Sequence, residues 1–534
     1  MSKPSRKEDL IAQIVLDHFS GLGKSPLSSS SSPGSVSLEY TVVAAFVVEA
    51  PQGRFACKDQ SNDNNFFYPL SIASGTKCLG AREVAEAIPG TVLKDSHAEV
   101  LARRAFNRFL LNFIKQRGVS SIKSKRDTED DPFDDLLLPI DDAEDSIIEK
   151  SVASHDRVRY RWNPEWKLHL YISDSPCGDA SIYEKESNRK RHGRRHLSSN
   201  EFLGTDFDPD INFTGAKLIG MVEEGQEQRV GCMRLKSGRS DIPDGYRTTS
   251  YSCSDKIAKW TVVGVQSAIV STLITPIYLN SIIVSLDPMA KKDSQAKALR
   301  RAIISRTEEI KCSVELDVSK ACELLISSCT YNYSKSMIDH ISNEESYENM
   351  QFKKQQRNNH SEGSICHKRD DEDNGLITIE EKTRGKIMKS RPAGCSLNWI
   401  RNEHGEHKDS RIELTQAQNG LKMGITTKTM NKMKTIMQKS SLLSNDSLPD
   451  NLNRVVSRLS QVSMFSLYKE VLKFLQRGEG KEACENSSTT MIDSDKTTLN
   501  GYFSKKESAV IHNKFKNVFL ASENFKQWRL NSCC

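Results

Sequence analysis

Apolar residues recur at helical spacing in three parts of the chain. The first is 8–20 (EDLIAQIVLDHFS), whose large apolar side chains share one face. The second is 96–116, a segment rich in phenylalanine and leucine that Gly118 is placed to end, and the third is 514–528. A spacing of three and four residues is typical of helices that bury one face, so each segment is predicted to be an amphipathic helix.

Three other apolar segments have the patterns of strands. Residues 41–50 (TVVAAFVVEA) form a β-branched run, 167–174 (KLHLYISD) alternate like a half-buried strand, and 276–286 (PIYLNSIIVSL) are again apolar. Between the last two, residues 256–274 are predicted to form one largely apolar helix. Because strands alternate with helices, the pattern favours an α/β fold with helices over a sheet.

Polar stretches interrupt this pattern. A Ser-rich run at 28–37 predicts a flexible loop, and we interpret the acidic sequence DTEDDPFDDLLLPIDDAED inside 119–155 as a solvated surface insertion. Residues 343–392 are nearly all polar and predict a second, disordered insertion. We therefore expect a helix and loop over residues 1–39 and a single domain over residues 40–534 that contains both insertions.

The composition fits a chain of which much is exposed to solvent. It has 534 residues, 37% of them hydrophobic, and a mean hydropathy of −0.55. It has no run of about 18 apolar residues and no secretory segment, so neither a membrane span nor export is expected. We expect a nuclear or cytosolic location, where the 13 cysteines are free thiols or metal ligands. The net charge of +6 permits a nucleic-acid partner but does not indicate one.

Three short segments place metal-binding side chains at junctions between predicted elements. They are DSHAE at the start of the long helix, SPCG after the strand at 167–174, and SCSDK before the helix at 256–274. One imidazole, from His97, and two thiolates, from Cys177 and Cys253, suit Zn²⁺. Three protein ligands leave the fourth tetrahedral position open for water, as in catalytic sites.

A carboxylate two residues after His97 completes the pattern of a zinc-dependent deaminase. Zinc lowers the pKa of bound water toward about 7, and Glu99 could carry a proton from that water to a substrate. Each of these residues also has an interpretation in which it serves only the structure of the protein. Ser96 and Glu99 have the spacing of a helix capping box, and buried cysteines are commonly small hydrophobes. The two thiols are also far apart in sequence, unlike the PCxxC of the general deaminase signature, so the residues alone leave both interpretations open.

When each of the three segments is extended to include its neighbouring residues, they resemble the motif blocks of the adenosine deaminase domain family. The blocks are VLKDSHAEVLARR (92–104), SDSPCGDASI (173–182) and SCSDKIAKWTVVGVQ (252–266), in the family's order and at similar separations. GTKC, GAKL and PIYLNSIIV strengthen the match, which covers residues 40–290 well and the remainder weakly. The resemblance implies an α/β fold with a cytidine-deaminase-like core, in which helices cover both faces of a mixed sheet, and a helical C-terminal part.

The resemblance also implies roles for individual residues. His97, Cys177 and Cys253 match the family's zinc ligands, and Glu99 matches its proton-shuttling glutamate. The family also buries inositol hexakisphosphate as a structural cofactor, and such a polyanion needs many cations and donors. The residues that match its ligands are Arg103, Arg104, Lys256, Trp260, Gln266, Tyr502, Lys506 and Lys516. Asp95 and Lys256 match a hydrogen-bonding relay between the metal ligands' neighbourhood and this cofactor.

The C-terminal part departs from the family pattern. His512 stands where a further aromatic ligand is expected, and Gln461 stands where editing enzymes carry a basic one. Trp528 resembles a later tryptophan of the family, but the chain ends in NSCC instead of continuing with Lys-Pro. The end of the chain is therefore where the resemblance is weakest.

The substrate that the resemblance implies is tRNA. No double-stranded RNA-binding domain is recognisable before residue 40, whereas the editing enzymes carry such domains, and SGRSD (237–241) is similar to a loop of the tRNA-acting members. This branch implies conversion of adenosine 37, beside the anticodon of alanine tRNA, to inosine, without an obligate protein partner. An anticodon loop offers an unpaired base, which lowers the energy needed for unstacking.

Thr76, Lys77 and Arg239 are the predicted RNA contacts, although loop arginines are commonly only solvated. The basic cluster at 185–196 either grips tRNA phosphates or is a solvated loop. Two alternatives to a tRNA deaminase stay open: editing of mRNA or other RNA hairpins, and a non-catalytic RNA-binding protein with a deaminase fold, which the intact Glu99 disfavours. A subunit of a heterodimeric wobble-position deaminase would carry PCxxC, which this chain lacks.

Overall fold

A computed structural model describes most of the regions with regular apolar patterns. The described residues are 6–26, 39–51, 66–120, 133–140, 158–184, 211–212, 217–218, 229–236, 247–288, 290–313, 322–329, 391–401, 411–426, 428–429, 431, 454–478 and 498–528. The Ser-rich run, the basic cluster at 185–196, SGRSD and most of the second polar insertion lie outside them.

The helices of the described residues are α1 (Lys7–Ser20), α2 (Ala81–Glu86), α3 (Ala98–Ser120), α4 (Cys253–Val263), α5 (Lys292–Leu299), α6 (Glu308–Ser313), α7 (Gln461–Gly478), α8 (Thr498–Glu507) and α9 (Val510–Ala521). Single turns of tighter or wider helix occupy Asp179–Ser181, Val270–Thr272, Arg300–Ile304 and Ser305–Thr307. The strands are β1 (Glu39–Tyr40), β2 (Val43–Glu49), β3 (Phe67–Ser74), β4 (Leu137–Pro139), β5 (Tyr160–Trp162), β6 (Lys167–Ile172), β7 (Tyr183–Glu184), β8 (Ile211–Asn212), β9 (Lys217–Leu218), β10 (Arg234–Leu235), β11 (Ser281–Ser285), β12 (Glu323–Ser327), β13 (Arg391–Pro392), β14 (Cys395–Ile400) and β15 (Ile412–Gln416).

Seven of these strands form a mixed sheet. Its order is β12-β11-β6-β2-β3-β14-β15. β11 runs parallel to both β6 and β12, while the remaining neighbours are antiparallel. The predicted mixed sheet is confirmed, and its parallel part is the place where strands and helices alternate along the chain.

Helices cover both faces of this sheet. On one face α3 packs against the central strands, and the ring of Phe106 stacks on that of Phe46 at a centroid distance of 4.8 Å. On the other face Ile11 and Val15 of α1 pack with Val43 and other strand residues. The prediction of helices on both faces is thus confirmed, and α1 shares the core of the sheet.

The C-terminal helices pack beside the parts of the fold that carry the motif blocks. α7 lies along α3, where Lys115 and Glu470 form an ion pair at 2.6 Å. α9 packs against α4, and Phe519 and Phe525 stack at 4.1 Å in the apolar cluster beneath it. The predicted helical C-terminal part is confirmed.

Several predicted boundaries differ from the structure. The strand expected to be half-buried at 167–174 is β6, which is buried from its second residue onward because it is central and covered on both faces. The single helix predicted over 256–274 is wrong. α4 begins at Cys253 and ends at Val263, because Gly264 has φ 88° and its missing Cβ leaves room for Gln266.

The long helix does not end at Gly118 but runs from Ala98 to Ser120. The last predicted helix, at 514–528, is displaced toward the N-terminus as α9. The acidic stretch 127–145 is not uniformly solvated. Its apolar residues Phe133, Leu136 and Leu137 are buried. They lie in or beside the strand pair β4–β5 and pack into the same apolar cluster as α3. None of the described helices has the length and apolarity needed to cross a membrane.

Candidate active site

The three segments with metal-binding side chains meet in space. His97 lies directly before α3, Cys177 follows β6, and Cys253 is the first residue of α4. Gly178 has φ 104°, and a Cβ at this position would lie 2.3 Å from Oγ of Ser252. Only glycine therefore lets the chain after Cys177 pass this close to the start of α4.

The three side chains have the separations of ligands to one metal ion. Nδ1 of His97 lies 3.6 Å from Sγ of Cys253 and 3.9 Å from Sγ of Cys177, and the three ligand atoms lie within 4.8 Å of one another. Tetrahedral zinc, with bonds of about 2.0 Å to nitrogen and about 2.3 Å to sulfur, separates such atoms by roughly 3.5 Å. These residues, the metal trio, therefore fit one zinc ion with a further position open.

The carboxylate of Glu99 lies beside the metal trio. Sγ of Cys253 donates to Oε2 of Glu99 at 3.2 Å, and only 3% of Glu99 is exposed. Burial raises the pKa of Glu99, so the group holds a proton more firmly than an exposed glutamate does. The capping-box interpretation is not supported, because the amide of Ser96 donates to the carbonyl of Lys77, not to the glutamate.

A second set of potential ligands, made by Cys78, Asp95 and His97, has similar separations. It competes with the metal trio for the same imidazole. Asp95, however, is already bonded to two lysine ammonium groups and a hydroxyl. The trio that contains both motif cysteines is therefore the better candidate for a metal site.

Asp95 is the centre of a buried polar group that we call the Asp95 cluster. Both carboxylate oxygens of Asp95 accept from Nζ of Lys236 at 2.9 Å, and Oδ2 also accepts from Nζ of Lys256. Oγ of Ser250 donates to the same carboxylate at 2.6 Å, and the amide of His97 donates to Oδ1 at 3.0 Å. The predicted contact between Asp95 and Lys256 is present, and the cluster holds the loop that carries the metal-binding imidazole.

The charges of the Asp95 cluster compensate one another. Burial alone would raise the pKa of Asp95, but the ammonium groups of Lys236 and Lys256 outweigh it and hold this pKa well below its usual range. The same proximity raises the pKa of Lys236 well above its usual value, although burial acts in the opposite direction. Both partners therefore stay ionised throughout the physiological range.

A second group of charges, built from α3, α4, α8 and α9, surrounds a buried histidine. His512 of α9 is 6% exposed, and its Nδ1 has no hydrogen-bond partner. Arg103, Lys259, Lys506 and Lys516 all act electrostatically on this ring. We call these five residues the His512 cluster.

The predicted inositol phosphate ligands are divided between the two clusters and their surroundings. The guanidinium of Arg103 donates to the carbonyls of Val265 and Gln266, each at 2.6 Å, and lies 5.1 Å from the ring of Trp260. Burial and the neighbouring Arg104 lower the pKa of Arg103 to about 10. Two strongly basic groups thus lie close together in a buried place.

Some of these side chains have partners within the chain. The side-chain amide of Gln266 shapes the turn after α4. Its Nε2 donates to the carbonyl of Val263, and its Oε1 accepts from the backbone amide of Ile277, each at 2.9 Å. The ring of Tyr502 packs edge-on against Phe465 at 5.8 Å. Nε of Arg104 donates to the carbonyl of Leu459 at 2.7 Å. The ring of Trp528 stacks on Tyr251 at 4.3 Å, with Nζ of Lys259 lying 5.1 Å from it.

Two of the predicted RNA contacts lie next to the loop that carries His97. The segment that contains Thr76 and Lys77 pairs with the chain before α3, since the amide of Ser96 bonds to Lys77 and that of Ala98 to Gly75. Oγ1 of Thr76 is buried without a partner. Arg239 lies outside the described residues.

Sequence reasoning missed two lysines of these clusters. Lys236 is 4% exposed and bonds to a carboxylate that lies 141 residues earlier, and nothing in its local sequence distinguishes it from a solvated lysine. Lys259 had a usable signal. It follows Lys256 by three residues and precedes Trp260, so it falls on the same helix face as predicted ligands.

The chain is similar to known deaminases along most of its length. A family model described as the adenosine-deaminase (editase) domain matches residues 71–532. tRNA-specific adenosine deaminase 1 of Drosophila melanogaster is 33% identical over 57% of this chain and 60% of its own length. The protein of the same name from Schizosaccharomyces pombe is 28% identical over 53% of this chain and 58% of its own length. Double-stranded RNA-specific editase Adar of Drosophila melanogaster is 29% identical over 40% of this chain and 26% of its own length. The matches therefore span less than two thirds of these three relatives.

Proposed function

The chain belongs to the adenosine-deaminase (editase) domain family, and on that basis we propose that it is an enzyme that hydrolyses adenosine in tRNA to inosine and ammonia. The observation that carries the proposal is the metal trio with the buried carboxylate of Glu99 beside it. A structural metal site has no need of that carboxylate. Relatives named tRNA-specific match larger shares of the chain than the editase does, which supports tRNA as the substrate class.

His97, Cys177 and Cys253 would hold the zinc ion. When bound, the ion supplies Lewis acidity, which lowers the pKa of water toward about 7. Glu99 would pass a proton between water and the adenine ring. Burial raises its pKa, which favours a carboxyl group that can hold a proton during the transfer.

The remaining residues position these groups. The Asp95 cluster keeps the loop before α3 in place, because the backbone amide of His97 donates a hydrogen bond to the carboxylate of Asp95. It also ties this loop to the start of α4 through Lys256, so that ligands from two elements stay in register. A ligand shell held by hydrogen-bonded neighbours is what metal affinity and geometry require.

The His512 cluster fits inositol hexakisphosphate. Nδ1 of His512 is buried with no partner among the described residues, and four cations act on its ring, so phosphate oxygens would supply an acceptor for the nitrogen and negative charge beside the cations. The residues we propose to hold it are Arg103, Arg104, Lys256, Trp260, Lys259, Gln266, Tyr502, Lys506, His512 and Lys516. The cofactor would join α3, α4, α8 and α9 by neutralising their facing charges.

Within tRNA, we propose adenosine 37, beside the anticodon of alanine tRNA, as the target. Thr76 and Lys77 are the proposed contacts, because their segment is hydrogen-bonded to the loop that carries His97. Arg239 in SGRSD is a third proposed contact. Editing of RNA hairpins is the competing substrate assignment.

The decisive experiment compares the full-length protein with Glu99→Ala, using Glu86→Ala on the exposed side of α2 as a control. We expect Glu99→Ala to keep about one zinc per chain by elemental analysis and to lower the rate of inosine formation on alanine tRNA by about 10²–10⁴-fold. The control should retain the wild-type rate. Wild-type activity in Glu99→Ala would exclude the proposed proton transfer.

A second arm tests the substrate. Alanine tRNA, the same tRNA with guanosine at position 37, and an RNA hairpin of equal length are each incubated with wild-type enzyme, and inosine is located by sequencing. Inosine confined to position 37 supports the proposed target. Conversion of the hairpin in preference to the tRNA would favour RNA editing.

A further inference from the structure

Among the described residues, none bonds to Nδ1 of His512. This histidine lies on α9 and is 6% exposed, and the nitrogen itself is buried. A buried polar atom is costly unless something bonds to it. The described part of the chain therefore leaves this position without the acceptor or donor it needs.

The largest electrostatic effects on His512 come from cations on the helices around it. They are Lys516 of α9, Lys506 of α8, Lys259 of α4 and Arg103 of α3. Burial, and then these cations, lower the pKa of His512 well below its usual value. Without an anion the ring is therefore neutral, and it adds nothing to the attraction that the cluster exerts on one.

A bound polyanion reverses the electrostatic environment of the ring. Each phosphate group carries between one and two negative charges near neutral pH, and its oxygens accept hydrogen bonds. A nearby anion favours the charged form of an imidazole, and the protonated ring donates from both nitrogens. The unpartnered Nδ1 would then donate to a phosphate oxygen.

Resting on the inositol phosphate site proposed above, we propose that His512 binds the polyanion as an imidazolium, so that capture of inositol hexakisphosphate takes up one proton from solvent. The cluster then contains five cations when it is occupied and four when it is empty. His512 becomes a ligand whose charge depends on occupancy.

The test measures stability against pH in the wild type and in His512→Gln, which keeps a donor but cannot be charged. The full-length protein is unfolded by denaturant from pH 5.5 to 8 in excess inositol hexakisphosphate. His512 with a raised folded-state pKa stabilises the wild type fully below the unfolded pKa of about 6.5 and loses this advantage as pH rises. We expect the ratio of the two unfolding constants to change by roughly tenfold per pH unit above about 6.5.

The opposite behaviour would overturn the proposal. If His512 stayed neutral in the occupied site, its pKa would remain lowered, and the wild type would lose stability relative to His512→Gln as pH falls below about 6.5. Parallel profiles at all pH values would also exclude proton uptake at this residue. The ratio to the variant also removes the titration of the inositol phosphates themselves, which both proteins share.

Failure of the underlying site is recognised separately. Mass spectrometry of the small molecules released from denatured wild-type protein tests whether inositol hexakisphosphate is bound at all. Its presence together with parallel profiles overturns only the proton uptake, whereas its absence, with no stabilisation by added inositol hexakisphosphate, overturns both. Should His512→Gln not fold, His512→Tyr is used, because it also places an uncharged donor in the pocket and predicts the same profile.

Discussion

The Asp95 cluster and the His512 cluster are both buried groups of charge, but they are balanced in different ways. In the first, one carboxylate accepts from two ammonium groups and a hydroxyl, so opposite charges face each other within the chain. In the second, the largest electrostatic effects on His512 come from cations, and Nδ1 of this histidine has no partner among the described residues. The central group of the first cluster is therefore fully hydrogen-bonded, whereas the central group of the second is not.

This difference indicates what each region needs in order to fold. Buried charges are tolerated when they are paired and hydrogen-bonded, and removing one partner leaves the other at a high cost. The Asp95 cluster meets that requirement by itself and can shape the metal site before any ligand arrives. In the His512 cluster, the anion proposed above would supply the acceptor that Nδ1 of His512 lacks among the described residues, and would thereby stabilise the C-terminal helices.

The largest effect is expected from breaking the balanced cluster. Lys236→Met removes one of the two ammonium groups that bond to Asp95 and should lower the free energy of unfolding by about 3 kcal/mol, because a buried carboxylate loses a partner. Denaturant unfolding of the purified protein measures it. The control is Lys291→Met, whose exposed partner Glu184 needs no compensation, and its midpoint should barely move. Equal effects of the two substitutions would show that burial of the Asp95 cluster is not what matters.

A smaller change in the free energy of unfolding is expected in the His512 cluster, and the sign of this change is informative. Lys516→Met should lower the free energy of unfolding by about 2 kcal/mol in protein that holds inositol hexakisphosphate, because a charge-assisted contact is lost. Lys514→Met, exposed on the same helix, serves as the matched control. If no anion occupies the cluster, removing one of several like charges should instead stabilise the protein, and that result would contradict the proposed occupancy by inositol hexakisphosphate.

The smallest effect on stability is expected at Glu49, which lies away from both clusters and is bonded to His169 and Lys7. Hydrogen bonds from His169 and Lys7 outweigh partial burial and lower the pKa of Glu49 to about 2. This contribution is present above the unfolded pKa of about 4.3 and is lost as pH falls toward about 2. Glu49→Gln should therefore cost about 1 kcal/mol above pH 5, with the difference shrinking in acid, since a partly exposed pair is screened. Acid titrations followed by circular dichroism measure this, and a difference independent of pH would exclude the ion pair as its source.

The metal trio was predictable because its members occupy the ends of strongly patterned elements. His97, Cys177 and Cys253 each lie at a junction, and the ends of neighbouring strands and helices meet at one edge of a sheet. The order of the strands was not predictable to the same degree, since it depends on pairings between segments far apart in the chain, such as β14 with β3.

Two kinds of residue escaped prediction for physical reasons. Lys236 has its role through a carboxylate brought near by the fold, and a local pattern contains no information about such a partner. Phe133 lies in an acidic stretch whose average composition predicts exposure, yet its own side chain packs against Tyr68 and Trp166. Average polarity over a window hides an apolar residue that is buried individually.

The position of α1 has a consequence for choosing a fragment to express. The family match begins at residue 71, inside β3, so a fragment trimmed to it would lack both α1 and the central strand β2. It would also lose the buried bond from Oγ of Ser327 to the carboxylate of Asp9, by which α1 is fastened to the edge strand β12. Such a fragment would present an uncovered apolar sheet face to its neighbours in solution, and we expect it to aggregate where the full chain does not.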